Sequence, residues 1–136
     1  MIRQLDDRVL VSGQIRPAEV ARLAEQHGVK MLINNRPDGE EDGQPLAADM
    51  EAAAVAAGIA YRHVPIIRGI GPADVEAMQD ALDDAGDGTV LAFCRSGNRS
   101  ALTWAVAKHG QGVPREDIEA KVEAAGFNVA PIAHLL

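Results

Sequence analysis

The chain has 136 residues, 47% of them apolar but only 3% aromatic, and carries a formal net charge of −7. This length is that of one domain, residues 1–136, with room for an aliphatic, alanine-rich core. The acidic balance argues against nucleic acid or an acidic membrane surface as a partner, and no segment approaches the roughly 20 apolar residues of a membrane span.

The N-terminus, Met1 to Asp7, lacks the apolar stretch of a signal peptide. A single cysteine cannot form an internal disulfide, so a reducing cytoplasm is the expected compartment. Ile2 to Leu5 and Val9 to Ser12 read as two short strands around the turn Asp6-Asp7-Arg8. Pro17 opens a helix at a favoured first-turn position and Gly28 ends it, with Val20, Leu23 and Ala24 as its apolar face. Lys30 to Asn34 is a strand with a continuous apolar middle, the pattern of a parallel sheet. The polar loop Asn35 to Gln44 follows at the end of that strand, where open α/β sheets bind ligands. Arg36 and Asp38 are therefore candidates to face a binding site, and the plainer alternative pairs Arg36 with an acid of its own loop.

Pro45 to Ala57 is a helix closed by Gly58. Ala60 to Pro65 is the next strand, with Tyr61 and His63 on one face; His63 is either a proton shuttle or, more commonly, a packed residue. A loop from Ile66 to Gly71 carries the cation Arg68 and leads into a helix from Pro72 to Ala85. Asp83 to Gly88 turns into a strand from Thr89 to Phe93. A helix from Ser100 to His109 carries Trp104 as a core residue. Pro114 to Ala125 forms another helix. The apolar tail from Val129 to Leu136 is either a short helix closing the core or a dimer contact.

The strand that ends at Phe93 runs straight into Cys94, followed by Arg95-Ser96-Gly97-Asn98-Arg99-Ser100. This is strand, loop, helix with a thiol at the loop's first position. Backbone N–H groups of such a loop can converge on an anion, and the helix N-terminus adds positive potential. The same field favours thiolate over thiol. Gly97 permits the turn, Arg99 can place two parallel hydrogen bonds on an oxyanion, Arg95 selects anionic donors, and Ser100 is in position to hydrogen-bond the thiolate. The alternative is a lone cysteine acting as a small core hydrophobe. Four scattered histidines and one cysteine build no metal site, and there is no Gly-x-Ser-x-Gly elbow or Walker loop. Neither metal nor cofactor is expected.

Cys94 to Ser100 resembles the active loop of single-domain rhodaneses, Cys-Arg-x-Gly-x-Arg. It also looks like a shortened version of the Cys-x5-Arg loop of cysteine-dependent phosphatases, since four residues separate Cys94 from Arg99. Ser12-Gly13-Gln14, then Leu32 to Glu40 with Arg36-Pro37-Asp38, then Gly58 to Tyr61 with Val64-Pro65, and then the Cys94 loop with Trp104 together resemble the DUF442 family. This is the beta-lactamase-hydrolase-like, phosphatase-like domain, and the match covers roughly residues 1 to 110. Asn35 departs from it, because an aliphatic residue usually precedes Arg-Pro-Asp there. The resemblance implies an α/β fold similar to dual-specificity phosphatases, with a central, mostly parallel sheet of 4–5 strands flanked by helices. It further implies two thiolate chemistries, because the family is named for both and some members are fused to a persulfide-oxidising domain.

In either chemistry Cys94 attacks and forms a covalent intermediate. The short loop favours the first, sulfur transfer: a persulfide on Cys94, loaded from a small sulfane-sulfur donor and passed to a thiol or sulfite. The alternative is a phosphatase with a Cys94 thiophosphate. In phosphatases of this topology an aspartic general acid lies near the loop before the third long helix. Asp74 is the acid there, although Gly-Pro-Ala-Asp is also an ordinary helix start. A third reading is a non-catalytic anion or redox sensor. The expected site is thus Cys94, Arg99 and Asp74 for chemistry, with Arg95, Ser96, Gly97, Asn98, Ser100 and Arg36 for the anion. The expected partner is a small anionic substrate: a persulfide, thiosulfate or phosphate ester. A homo-oligomer and a persulfide-oxidising partner protein are the macromolecular candidates.

Overall fold

The computed structural model describes all of residues 1–136 and orders them as β1 (Ile2–Gln4), β2 (Val9–Ser12), a 3-10 turn (Pro17–Glu19), α1 (Val20–His27), β3 (Val29–Asn34), α2 (Ala47–Ala56), β4 (Ala60–His63), α3 (Pro72–Ala85), β5 (Thr89–Phe93), α4 (Asn98–Gly110), α5 (Arg115–Ala124) and a terminal 3-10 segment (Ala130–Leu135). One five-stranded sheet runs β1-β2-β5-β3-β4. Only the β1–β2 hairpin is antiparallel; β2, β5, β3 and β4 are mutually parallel. The hairpin is held by Asp6, whose Oδ1 accepts the Arg8 and Val9 N–H groups at 2.8 Å each. The expected mostly parallel α/β sheet is therefore present.

β5 is the central strand, and Val90, Leu91, Ala92 and Phe93 are completely buried. The two-residue period of a strand sends alternate side chains to opposite faces. Val90 and Ala92 join Val9, Val11, Met31 and Ile33 against α3, α4 and α5. Leu91 and Phe93 join Leu32 against Val20 and Leu23 of α1 and Met50 of α2. β3 slips register between Val29 and Met31, which leaves Lys30 exposed and lets Val29 and Met31 enter different cores. The strand consequently begins one residue before the expected Lys30.

Trp104 is 1% exposed and belongs to the core, as its place on the helix implied. Ile132 is buried in the same cluster as Trp104 and Ile118, so the terminal segment closes the core. The C-terminal ends of β2, β3 and β5 meet at one edge of the sheet, and the loops that follow them build the site.

Candidate active site

Phe93 ends β5, and the next residue, Cys94, is 1% exposed. Its backbone N–H donates to the Ser12 carbonyl at 3.3 Å. Its Sγ accepts the Gly97 N–H at 3.1 Å. Gly97 has φ +94°, a left-handed turn that a side chain would strain. A Cβ there would also lie 3.2 Å from Phe127 and 3.4 Å from the Ser12 backbone. This one glycine thus folds the loop back over the sulfur. The Arg95, Ser96, Arg99 and Ser100 N–H groups donate to no protein acceptor, and those of Arg99 and Ser100 lie in the first turn of α4. An anion beside Sγ would find these donors together with the helix dipole.

The Ser12-Gly13-Gln14 loop forms the opposite wall. The Gln14 N–H donates to the Arg95 carbonyl at 3.4 Å. A Cβ on Gly13 would stand 2.9 Å from that same carbonyl, so the two backbones approach too closely for any other residue.

Arg99 carries the strongest contacts. Its Nη1 and Nη2 donate to Glu40 Oε2 and Oε1 at 2.6 and 2.7 Å, and Nη1 donates again to the Ile66 carbonyl at 2.9 Å. That commits both Nη1 protons and one Nη2 proton. Nε–H and the second Nη2 proton remain, and together they are the side-on pair that a guanidinium offers to an oxyanion. Hydrogen bonding to Glu40 chiefly, with the neighbouring Cys94 as a lesser cause, holds the Arg99 pKa above its ordinary value. Glu40 is in turn driven down to about 2 by its hydrogen bond from Arg99, with further lowering from Arg36. It is a carboxylate at any physiological pH.

Arg36 is completely buried. Its Nε donates to Glu40 Oε1 at 2.6 Å and its Nη1 to Gln14 Oε1 at 3.0 Å. Nη2 lies 3.0 Å from Glu41 Oε1, within ion-pair distance but out of line for a hydrogen bond. Of the two readings of Arg36, the pairing with acids of its own loop is the one present: it does not face the anion and reaches the site through Glu40 and Gln14. Asp38 likewise turns away, accepting the Ala47 N–H at 2.7 Å at the start of α2.

The hydrogen bonds place two further side chains. The Ser100 hydroxyl donates to Asn35 Oδ1 at 2.8 Å, so its one proton is not directed to Cys94. Asn35 is itself anchored to the Val64 carbonyl at 2.9 Å. The departure from the family pattern at Asn35 is thus a buried strut between the β3 and β5 loops. Asp74 accepts the Gly71 N–H at 2.9 Å and begins α3, the ordinary helix start that its spacing allowed. His63 Nε2 lies 2.8 Å from the Arg36 carbonyl; a carbonyl only accepts, so Nε2 carries the proton and the ring braces the β3 loop.

Arg95 is 70% exposed and lies 3.4 Å from Glu41. Ser96 accepts the Asn98 N–H at 3.4 Å, and both residues are exposed at the loop's tip. The structure therefore brings Cys94, Gly97 and Arg99 together and leaves Arg95, Ser96 and Asn98 at the mouth. Glu40 and Gln14, unassigned by the sequence reading, complete the frame. The only available signal for Glu40 was the four-residue offset from Arg36.

The chain is similar to known proteins in sequence and fold. The model of the family described as beta-lactamase hydrolase-like protein, phosphatase-like domain, matches residues 1–111. The Beta-lactamase hydrolase-like protein of Xylella fastidiosa is 38% identical over 130 residues, covering 94% of this chain and 30% of that protein. The chain thus spans under a third of the length of that curated relative. A Neisseria meningitidis protein described provisionally as a phosphatase is 34% identical, with a TM-score of 0.80 over 98% of this chain and 95% of the other. The PTP-2 phosphatase of Cydia pomonella has a TM-score of 0.72 at 16% identity, over 98% and 84% of the two chains, and shows the fold alone. A phosphatase-like sheet, a thiol at the end of its central strand and a matching family model over most of the length lead to one conclusion: the chain belongs to the beta-lactamase hydrolase-like family, as its phosphatase-like domain.

Proposed function

We propose that the chain is a Cys94-dependent phosphatase acting on a small phosphomonoester. One observation carries this reading: the Cys94 sulfur sits at the start of α4, accepting the Gly97 N–H at 3.1 Å, with uncommitted loop amides and Arg99 beside it. The phosphatase-like family and fold support it. The Cys94 thiolate attacks phosphorus, and an S–P bond forms as the P–O bond to the alcohol breaks. Water then attacks the thiophosphate, releasing inorganic phosphate and restoring the thiolate. Arg99 and the loop amides hold the equatorial oxygens through both steps.

Asp74 is engaged at its cap and Glu40 is ionised between two arginines, so neither supplies a proton to the leaving oxygen in this arrangement. The rate should therefore depend steeply on how stable the departing alkoxide is. Aryl phosphates of acidic phenols are expected to turn over far faster than alkyl phosphates. Asp74→Asn, which keeps a cap acceptor, should preserve that slope; loss of aryl turnover in this variant, with the fold intact, would restore Asp74 as the acid.

Sulfur transfer is the second reading, and the four-residue spacing from Cys94 to Arg99 favours it. There the thiolate attacks the outer sulfur of thiosulfate, an S–S bond forms and sulfite leaves, without need of an acid. The experiment is intact-mass spectrometry after separate, rapidly quenched exposures to an aryl phosphate and to thiosulfate, beside Cys94→Ser. A phosphoryl adduct absent from the variant supports the phosphatase. Gain of one sulfur atom instead overturns it in favour of the persulfide.

A further inference from the structure

The largest cavity in the molecule adjoins the active site but does not include Cys94. It holds about 370 Å³ between the β4–α3 loop, α4 and the terminal 3-10 segment, within the range of roughly 300–1,000 Å³ typical of small-molecule pockets. Ile66, Ile70, Leu102, Ile132 and Leu135 give it apolar walls, and Arg99 lines it as well. Ile66 forms part of both spaces, because its carbonyl accepts Arg99 Nη1 at 2.9 Å. The cavity and the thiolate site therefore share one guanidinium.

Its charge is unusual for this protein. The chain has 20 acidic and 13 basic residues, yet the lining includes Arg68, Arg99 and His134 and no acid. An apolar hollow with a cationic edge complements an organic anion. One wall, Pro131 to Leu135, lies outside residues 1–111 matched by the family model. That wall is therefore not set by the matched family pattern.

We propose that this cavity is the leaving-group subsite: it takes the apolar ring or branched chain of an organic phosphate whose phosphoryl group lies at Cys94 and Arg99. The inference rests on the phosphatase reading for the identity of the anion. A substrate placed this way lays its alcohol against Ile70 and Leu135, with Arg68 toward solvent. Simple phosphates without such a group fill only the thiolate site.

The test is calorimetric binding of benzylphosphonate and methylphosphonate to the Cys94→Ser chain, which removes turnover from the measurement. Benzylphosphonate should bind at least about tenfold more tightly, the worth of burying two or so methylene-sized groups. Leu135→Asp alters a wall residue that is 36% exposed, so the fold should tolerate it; it should abolish the benzyl preference and leave methylphosphonate affinity within about twofold. Leu135→Met, which keeps an apolar wall, should retain the preference. Equal binding of the two phosphonates, binding of neither, or a preference that survives Leu135→Asp would overturn the subsite. A thiophosphate seen by mass spectrometry with no benzyl preference sinks the subsite alone. A benzyl preference with no thiophosphate sinks the phosphatase reading, and with it the leaving-group role, and leaves the cavity as a subsite for an organic anion.

Discussion

At the scale of single residues, the site is a relay of charges in which each group limits the freedom of the next. Buried Arg36 holds Glu40, Glu40 holds Arg99, and Arg99 is left with one side-on pair of N–H donors near the thiol. Arg99→Lys keeps the charge and loses the planar pair. Affinity for phosphate as a competitive ligand is expected to fall roughly ten- to hundredfold, the range for losing one charge-assisted hydrogen bond; isothermal titration checks it. Glu40 also makes a pH prediction. Its pKa is lowered from 4.5 to about 2 by Arg99 and Arg36, so its stabilising effect is fully present above pH 4.5. That effect is lost as the pH falls from there toward 2, because the unfolded chain takes up the proton first. Glu40→Gln should lower stability at pH 7 by about 1 kcal/mol, the upper end for an ion pair in contact with solvent. It should also flatten the acid limb between pH 4.5 and 2, as urea titrations at several pH values would show.

At the scale of elements, the loop after β5 is where backbone geometry decides function. Gly97 is both left-handed and crowded, since a Cβ would press on Phe127 and on the Ser12 backbone. Gly97→Ala should therefore cost more than the ~1–2 kcal/mol of the left-handed conformation alone. It should also displace the N–H that reaches Cys94, so that stability and Cys94 alkylation rate change together. Gly13→Ala adds a contact of 2.9 Å from Cβ to the Arg95 carbonyl without a left-handed conformation. Its main effect should be on the loop: reactivity at Cys94 changes while the melting temperature moves less than in Gly97→Ala.

At the scale of the whole molecule, the C-terminal quarter is structural as well as a wall of the cavity. Ile118, Val122, Val129 and Ile132 are each under 10% exposed and share one cluster with Trp104 and the sheet. Burying four such side chains contributes roughly 1.5–3 kcal/mol each, as much as the total stability of an ordinary domain. A chain ending at residue 111, where the family match stops, should not hold the native fold. Circular dichroism would show a lost or greatly broadened melting transition. The apolar residues of α4 are buried in this same core, and no helix is long and apolar enough to cross a membrane.

The sequence by itself determined the parts governed by neighbours in the chain. The continuous apolar run of β5, the proline starts and glycine ends of helices, and the thiol, loop and helix from Cys94 to Ser100 all depend on spacings of a few residues. Trp104 and the cap role open to Asp74 were legible for the same reason. Only the tertiary structure decided which acids meet which arginines. Glu40 and Arg99 are 59 residues apart, and Ser100 and Asn35 are 65 apart. In a polar loop such as Asn35 to Gln44, every acid has the same local chemistry. Which one is drawn to Arg99 depends on the β3–β5 pairing that sets the two loops side by side, a long-range contact with no periodic signature in the chain.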